Sequence, residues 1–289
     1  MKVKVYAKLN LTLNVGAKQG AFHPIDSVVT SVDICDVVEV VARADMQVNV
    51  HGIDSVEQEK NTAYKAAVAF RREFAAKTIP GVDIFIQKGI PFGGGLGGSS
   101  ADASAVVYCM CKLFGVDIHS RKIHELCSAL GSDINFMLFG GLARLQGKGD
   151  DVIPYKLAKP LCFALTTFGQ SMNSGEVYSA YDKLTVNHTT DKHDNVTLLN
   201  LLQQGANGEA ITLFNNDLQP ATLNISNYAK EYLSFVQSHN FQCNITGSGS
   251  AYYVACQTLE EAEHVANLFN AHGFATTVCT SVPSGIVEF

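Results

Sequence analysis

The chain has 289 residues, 47% of them hydrophobic, with a formal net charge of -6, so it can bury a sizeable core in one large domain or two smaller ones. The acidic balance argues against a sequence-independent grip on nucleic acid or on an anionic membrane, and an anionic substrate would need a local positive site. No apolar stretch reaches bilayer-crossing length, and Met1 to Tyr6 alternates Lys with Val instead of forming the apolar run of a secretion signal; the cytoplasm is the expected compartment.

In chain order, the alternation from Lys2 to Val15 predicts paired strands, and Asp36 to Val41 and Met46 to His51 read as two more. Asn61 can cap a helix running to about Lys77, whose Ala63, Ala66, Ala67, Phe70 and Phe74 share one face. Val82 to Gln87 reads as a strand. It leads through a glycine run into an apolar helix from about Ser99 to Phe114, and a second helix follows from Ser120 to Leu130. A strand resumes after Gly140-Gly141, and the hydrophilic stretch from Asn187 to Asn195 predicts a variable loop. The last third reads as a strand at Leu161 to Thr166, a helix around Asn224 to Ser238, and strands near Cys243 and at Tyr252 to Cys256. A helix from Leu259 to Asn270, with Thr258 and Glu261 as a capping box, and a strand at Thr276 to Ser281 complete it. This interleaving predicts an α+β fold of two lobes: an N-terminal α/β lobe with a mixed sheet over residues 1–155, and a C-terminal ferredoxin-like lobe of the split β-α-β kind over 156–289.

The eight cysteines are scattered through apolar segments without C-x-x-C spacing and read as reduced core residues. Cys109 and Cys111, two apart on a helix, point to different faces, which argues against a shared metal.

Chemistry concentrates at Pro91-Phe92-Gly93-Gly94-Gly95-Leu96-Gly97-Gly98-Ser99-Ser100-Ala101-Asp102, where five glycines lie between a strand and a helix. Glycine permits positive φ and close approach of a ligand to the backbone. A helix beginning at Ser99 would aim its free N–H groups and dipole at whatever the loop encloses, which suits phosphate. The segment is not a Walker A loop, since no Gly-Lys-Ser/Thr follows at the required spacing, and it lacks the Rossmann glycine spacing. The rival reading is a tightly packed turn without a ligand.

Two further residues have the types that phosphoryl transfer needs. Lys8 lies among apolar neighbours in Ala7-Lys8-Leu9-Asn10-Leu11, and Asp133 follows a helix and a glycine in Leu130-Gly131-Ser132-Asp133-Ile134. A carboxylate can take or orient an acceptor proton while a Lys steadies it and the developing negative charge. Alone, each has an ordinary reading, Lys8 as a snorkelling edge residue and Asp133 as a helix-end residue.

Taken together these segments carry a resemblance. Pro-x-Gly-Gly-Gly-Leu-Gly-Gly-Ser-Ser-Ala resembles the phosphate loop of the GHMP kinases. The Ala-Lys-Leu-Asn start, the Leu-Gly-x-Asp segment and the aromatic-His pair Phe22-His23 are similar to those of the 4-(cytidine 5'-diphospho)-2-C-methyl-D-erythritol kinases of non-mevalonate isoprenoid synthesis. So are Asn61-Thr62-Ala63, Asn216-Asp217-Leu218 and Gly247-Ser248-Gly249-Ser250. The resemblance implies the two-lobe GHMP kinase fold, with ATP held by Pro91, Gly93, Gly94, Gly95, Leu96, Gly97, Gly98, Ser99, Ser100 and Asn61, and with Mg2+ as its companion. It implies Lys8 and Asp133 as the catalytic pair and Asn10 near the erythritol hydroxyls. Phe22 and Tyr178 would stack on cytosine, His23 would hydrogen-bond it, and Gly247, Ser248 and Gly249 would close on substrate phosphates. The sequence departs from the usual pattern in reading Gly-Gly-Ser-Ser-Ala-Asp for Gly-Gly-Gly-Ser-Ser-Asp, and in Gly175 and Pro24.

The expected activity is therefore Mg2+- and ATP-dependent phosphorylation of the 2-hydroxyl of the cytidyl-methylerythritol substrate. The alternatives are another GHMP kinase, acting on homoserine, a mevalonate derivative or a sugar, or a non-catalytic binder, which would have no need to keep both Lys8 and Asp133. The expected partner is a small molecule rather than nucleic acid or membrane, with monomer or homodimer left open.

Overall fold

The N-terminal part is built around one strand, longer than the apolar alternation predicts. The computed structural model describes residues 1–20, 22–53, 55–184 and 194–289. It begins with β1 (Lys2–Asn10), β2 (Thr12–Val15), β3 (Ile25–Ala42), β4 (Val48–His51), α1 (Thr62–Glu73), β5 (Val82–Gln87) and α2 (Gly98–Phe114). It continues through α3 (Arg121–Leu130), α4 (Ile134–Phe139), β6 (Leu142–Gly147) and β7 (Asp151–Tyr155). The 18-residue β3 pairs antiparallel with β1, β2, β5 and β6. Its first half is invisible to hydrophobic patterning because polar residues interrupt the run. Those side chains are internally satisfied: the Ser27 hydroxyl donates to Thr12 O, Ser31 Oγ accepts from Gly141 N at 3.1 Å, and Asp26 takes both arms of Arg144 at 2.7 Å.

The pairing expected within Lys2 to Val15 is corrected. β1 and β2 do not face each other; both lie antiparallel to β3 and continue in one direction along it, from Lys2↔Glu39 to Val15↔Ile25. A single residue, Leu11, separates them, too short to reverse a chain. α1 ends at Glu73, short of the expected Lys77, where Phe74 leaves helical geometry and a 3-10 turn takes over.

The remainder comprises β8 (Cys162–Thr166), α5 (Ser174–Lys183), α6 (Asn195–Gln204), α7 (Asn207–Ile211), β9 (Asn215–Asn216), α8 (Gln219–Ile225) and α9 (Asn227–Ser238). Then come β10 (Asn244–Ile245), β11 (Tyr252–Cys256), α10 (Leu259–Ala271), β12 (Thr276–Val282) and β13 (Ile286–Glu288). The antiparallel order β10-β11-β8-β12, with α9 and α10 as crossovers, is the split β-α-β arrangement. β12 runs on past β8 so that Ser281 and Val282 pair with β3, joining the two sheets. Thr258 caps α10 by accepting from Glu261 N at 3.1 Å, as the capping box predicts, while Glu261 returns to Gln257 N at 2.7 Å. Of the loop expected at Asn187 to Asn195, residues 187–193 lie outside the described residues; Asn195 opens α6, capped by Asp194.

α1 lays Ala63, Ala66, Ala67 and Phe70, all fully buried, against α2 and the core. All eight cysteines are free thiols and six are buried, in keeping with a reduced core. Among the described residues no helix is long and apolar enough to cross a membrane. Truncating Phe70 removes a ring that α1 and α2 close over, so Phe70→Ala should cost about 3–5 kcal/mol in denaturant unfolding, with the denaturation midpoint as the measured quantity.

Candidate active site

The glycine loop is fixed at its entry by a buried carboxylate. Asp36, on β3, accepts from Gly89 N at 2.7 Å and Ile90 N at 2.8 Å, which turns the chain out of β5. Gly93, Gly95 and Gly97 then adopt φ of 66°, 75° and 77°. A Cβ on Gly95 would overlap the Thr246 carbonyl oxygen, and one on Gly97 the Met137 methyl. Backbone bonds hold this packing: Ser250 N donates to Gly93 O at 3.2 Å, Ala251 N to Gly94 O at 3.1 Å and Lys8 N to Leu96 O at 3.0 Å. The tight packing that the turn reading expects is present on one side of the loop, and the other side is open. One side presses on the 246–251 turn and on β1. The other opens into a cleft of about 890 Å³, where α2 starts at Gly98 with Gly97 as its N-cap and no capping side chain. The N–H groups of its first turn and the positive dipole end remain available to an anion.

Every residue that the sequence suggested for catalysis or binding borders this cleft: Lys8, Asn10, Phe22, His23, Asn61, Pro91, Gly93 to Ser100, Asp133, Tyr178 and Gly247 to Gly249. Lys8 leaves β1 with only 6% of its side chain exposed, and its Nζ lies 3.9 Å from Asp133 Oδ2. Burial lowers its pKa below the ordinary lysine range, and the Asp133 charge opposes that shift. Lys8 Nζ also donates to Asn10 Oδ1, which accepts Gly247 N at 2.9 Å, while Asn10 Nδ2 donates to Ser27 at 2.8 Å. Asn10 therefore ties the ammonium to the 247–249 turn, with its carboxamide largely committed to protein. Asp133 is the first residue before α4 and caps nothing, so its carboxylate is left for the cleft. Asn61 caps α1 through Ala63 N at 2.8 Å and borders the same space.

At the other end of the cleft the aromatic residues are arranged differently from a simple sandwich. His23 stacks on Tyr178, with centroids 5.6 Å apart and planes 25° apart, and the Phe22 ring lies under Lys148 Nζ at 4.8 Å. His23 Nδ1 is 2.9 Å from Gly16 O; its Nε2 is 2.9 Å from Asp182 Oδ1 but off the ring N–H direction. A hydrogen bond from Lys18 at 2.6 Å holds the Asp182 carboxyl below the usual range. Burial pushes the Tyr178 hydroxyl up to about 12, with Asp133 adding to the shift. Ser248 Oγ lies 2.7 Å from Ser174 Oγ, joining the 247–249 turn to the start of α5.

Several cleft residues escaped the sequence reading. Lys88 lies behind the phosphate loop and bonds both Asp36 and Asp102, the latter at 2.8 Å. Asp102 is 3% exposed, and its Oδ1 has no hydrogen-bond partner among the described residues. Burial pushes Asp102 up to about 7; Lys88 opposes this and Asp36 adds to it. Available signals were a lysine abutting the glycine run, a carboxylate inside the apolar Ala101-Asp102-Ala103, and a lysine between two glycines at Gly147-Lys148-Gly149.

A glycine loop at an uncapped helix start, facing a buried Lys beside a carboxylate, brings together the group types that phosphoryl transfer needs. The family model for the GHMP kinases N terminal domain matches residues 61–141. Curated relatives described as 4-diphosphocytidyl-2-C-methyl-D-erythritol kinase include those of Desulfitobacterium hafniense, 30% identical over 97% of this chain and 95% of the relative, and Mycolicibacterium smegmatis, 30% identical over 99% and 90%. Among solved structures, a 4-(cytidine 5'-diphospho)-2C-methyl-D-erythritol kinase superposes with a TM-score of 0.79 over 97% of this chain and 98% of its own, at 24% identity. Homoserine kinase from Cytophaga hutchinsonii follows with a TM-score of 0.75 over 99% of this chain and 97% of its own, at 17% identity. The chain belongs to the 4-diphosphocytidyl-2-C-methyl-D-erythritol kinase family of the GHMP kinases, enzymes that use ATP to phosphorylate an alcohol.

The Asp102 shift fixes a sign. Its folded pKa is raised above the unfolded value, so from about pH 4 to about pH 7 the folded state binds more protons than the unfolded state, and stability falls as pH rises. Asp102→Asn removes that penalty and should raise the melting temperature by about 2–4 °C at pH 8 and by less at pH 5, measured by thermal unfolding of the unliganded protein.

Proposed function

We propose that this chain transfers the γ-phosphoryl group of ATP to the 2-hydroxyl of 4-(cytidine 5'-diphospho)-2-C-methyl-D-erythritol. The observation that carries the reading is the Lys8–Asp133 pair, held opposite the phosphate loop in the same cleft as Phe22, His23 and Tyr178. The loop N–H groups and α2 dipole bind the triphosphate. Asp133 takes the acceptor proton as the oxygen attacks the γ-phosphorus; the bond to the β–γ bridging oxygen breaks, and ADP leaves with that electron pair. Lys8 fixes the carboxylate and offsets charge gathering on the transferred group, an effect strengthened by its burial. The aromatic groups at Phe22 and Tyr178 supply faces for cytosine, which favours this acceptor over homoserine, mevalonate derivatives or sugars, none of which carries a base.

Magnesium belongs to the same reading. An ion of this kind is held mainly by nucleotide phosphates and one or two carboxylates. Asp102 Oδ1, buried without a partner beside the α2 start, fits that role, with the Ser100 hydroxyl as a second oxygen; both border the cleft. Bound there, the ion would neutralise charge on the phosphates.

Asp133→Asn should lower kcat by about 10²–10⁴-fold with the KM for ATP nearly unchanged, and Lys8→Met should lower kcat in parallel, read by steady-state ADP release. A wild-type kcat in Asp133→Asn would contradict the assigned role.

A further inference from the structure

Five lysines border the cleft, and among the described residues four of them are paired with carboxylates: Lys8 with Asp133, Lys18 with Asp182, Lys60 with Glu57, and Lys88 with Asp36 and Asp102. Lys148 has no ion pair among the described residues; its ammonium sits over the face of Phe22, 4.8 Å from the ring centroid. A cation over an aromatic face gains modest attraction and keeps much of its hydration, so it remains able to bind an anion.

Its position is set by the fold. Lys148 stands at the tip between β6 and β7, flanked by Gly147 and Gly149, whose φ values of 68° and 95° make the turn. One side of this tip meets Phe22. The other meets the segment that carries the acid, since a Cβ built on Gly149 would lie 3.5 Å from Ser132 Cβ, and Ser132 precedes Asp133. The tip that carries Lys148 therefore joins the proposed base platform to the segment before the proposed acid, along the wall of one cleft. In the proposed substrate, base and acceptor hydroxyl are connected through a diphosphate, which must cross this interval.

We infer that Lys148 binds the diphosphate of the nucleotide substrate and is a specificity-determining residue for acceptors built on a nucleoside diphosphate, an inference that rests on the cytidine-diphosphate reading of the site. Arrival of the diphosphate gives the ammonium a charged partner and leaves the Phe22 ring to the base. Among the described residues the ring contact of Lys148 is to Phe22 and not to the glycine loop, so the KM for ATP should not depend on it.

The test is calorimetric titration of wild type, Lys148→Met and Lys148→Arg with cytidine and with CDP, alongside the KM for ATP. Wild type should bind CDP about tenfold more tightly than cytidine, as one charge-assisted contact would give. Lys148→Met should bring CDP to within about twofold of cytidine while cytidine affinity and the KM for ATP stay nearly constant, and Lys148→Arg should retain the preference. A CDP preference that persists in Lys148→Met overturns the inference and leaves the base pocket standing. Equal losses for cytidine and CDP would make Lys148 a support for the Phe22 ring and also overturn it. Failure of wild type to bind either ligand overturns the cytidine reading itself, and the inference with it.

Discussion

The site depends on two backbone segments lying in contact with no side chain between them. The phosphate loop at Gly93 to Gly97 and the turn from Thr246 to Ala251 touch main chain to main chain, and Gly95 has no room for a Cβ against Thr246 O. The first segment follows β5 and the second joins β10 to β11, so this contact joins the part built on β3 to the ferredoxin-like unit. Asn10 secures it from β1 by accepting both Lys8 Nζ and Gly247 N. Asn216 secures it from the far side, donating to Ile245 O at 2.9 Å and Gly247 O at 2.8 Å. Positive φ in this loop thus follows from packing, and the packing directs the start of α2 into the cleft.

The second constraint is electrostatic. Asp36 is fully buried, Asp102 nearly so, and Lys88 lies between them. Burying three charges behind a phosphate loop is costly unless each is hydrogen-bonded, and here Asp36 also holds the loop entry through two backbone N–H groups. The one atom left over, Asp102 Oδ1, is buried without a hydrogen-bond partner among the described residues, in a residue that borders the cleft. Lys8 is desolvated in the same way, and its partner Asp133 keeps about a third of its side chain in solvent. The carboxylate therefore meets the cleft while the cation stays enclosed.

Much of this was legible in the sequence, for identifiable reasons. Motifs whose chemistry needs special backbone geometry, the glycine run above all, declare themselves locally. The helix start at Asn61 and the capping box at Thr258 do so through side-chain bonds that span only two or three residues. What stayed hidden depends on contacts distant in sequence. The first half of β3 is polar in sequence yet buried, because Ser27, Ser31 and Asp26 find partners on β2, before β6 and on β6 itself. Lys88 and Lys148 match no motif in the sequence; the fold shows that one is enclosed by two carboxylates and the other lies over Phe22. The resemblance paired Phe22 with Tyr178 as base platforms, whereas the unliganded arrangement stacks Tyr178 on His23.

The measurement that bears most directly on the central claim is ATP consumption by the purified chain with magnesium and 4-(cytidine 5'-diphospho)-2-C-methyl-D-erythritol, run beside homoserine, mevalonate and galactose. The account predicts turnover with the cytidyl compound alone. Turnover confined to one of the other acceptors, or none with any of them, would contradict it.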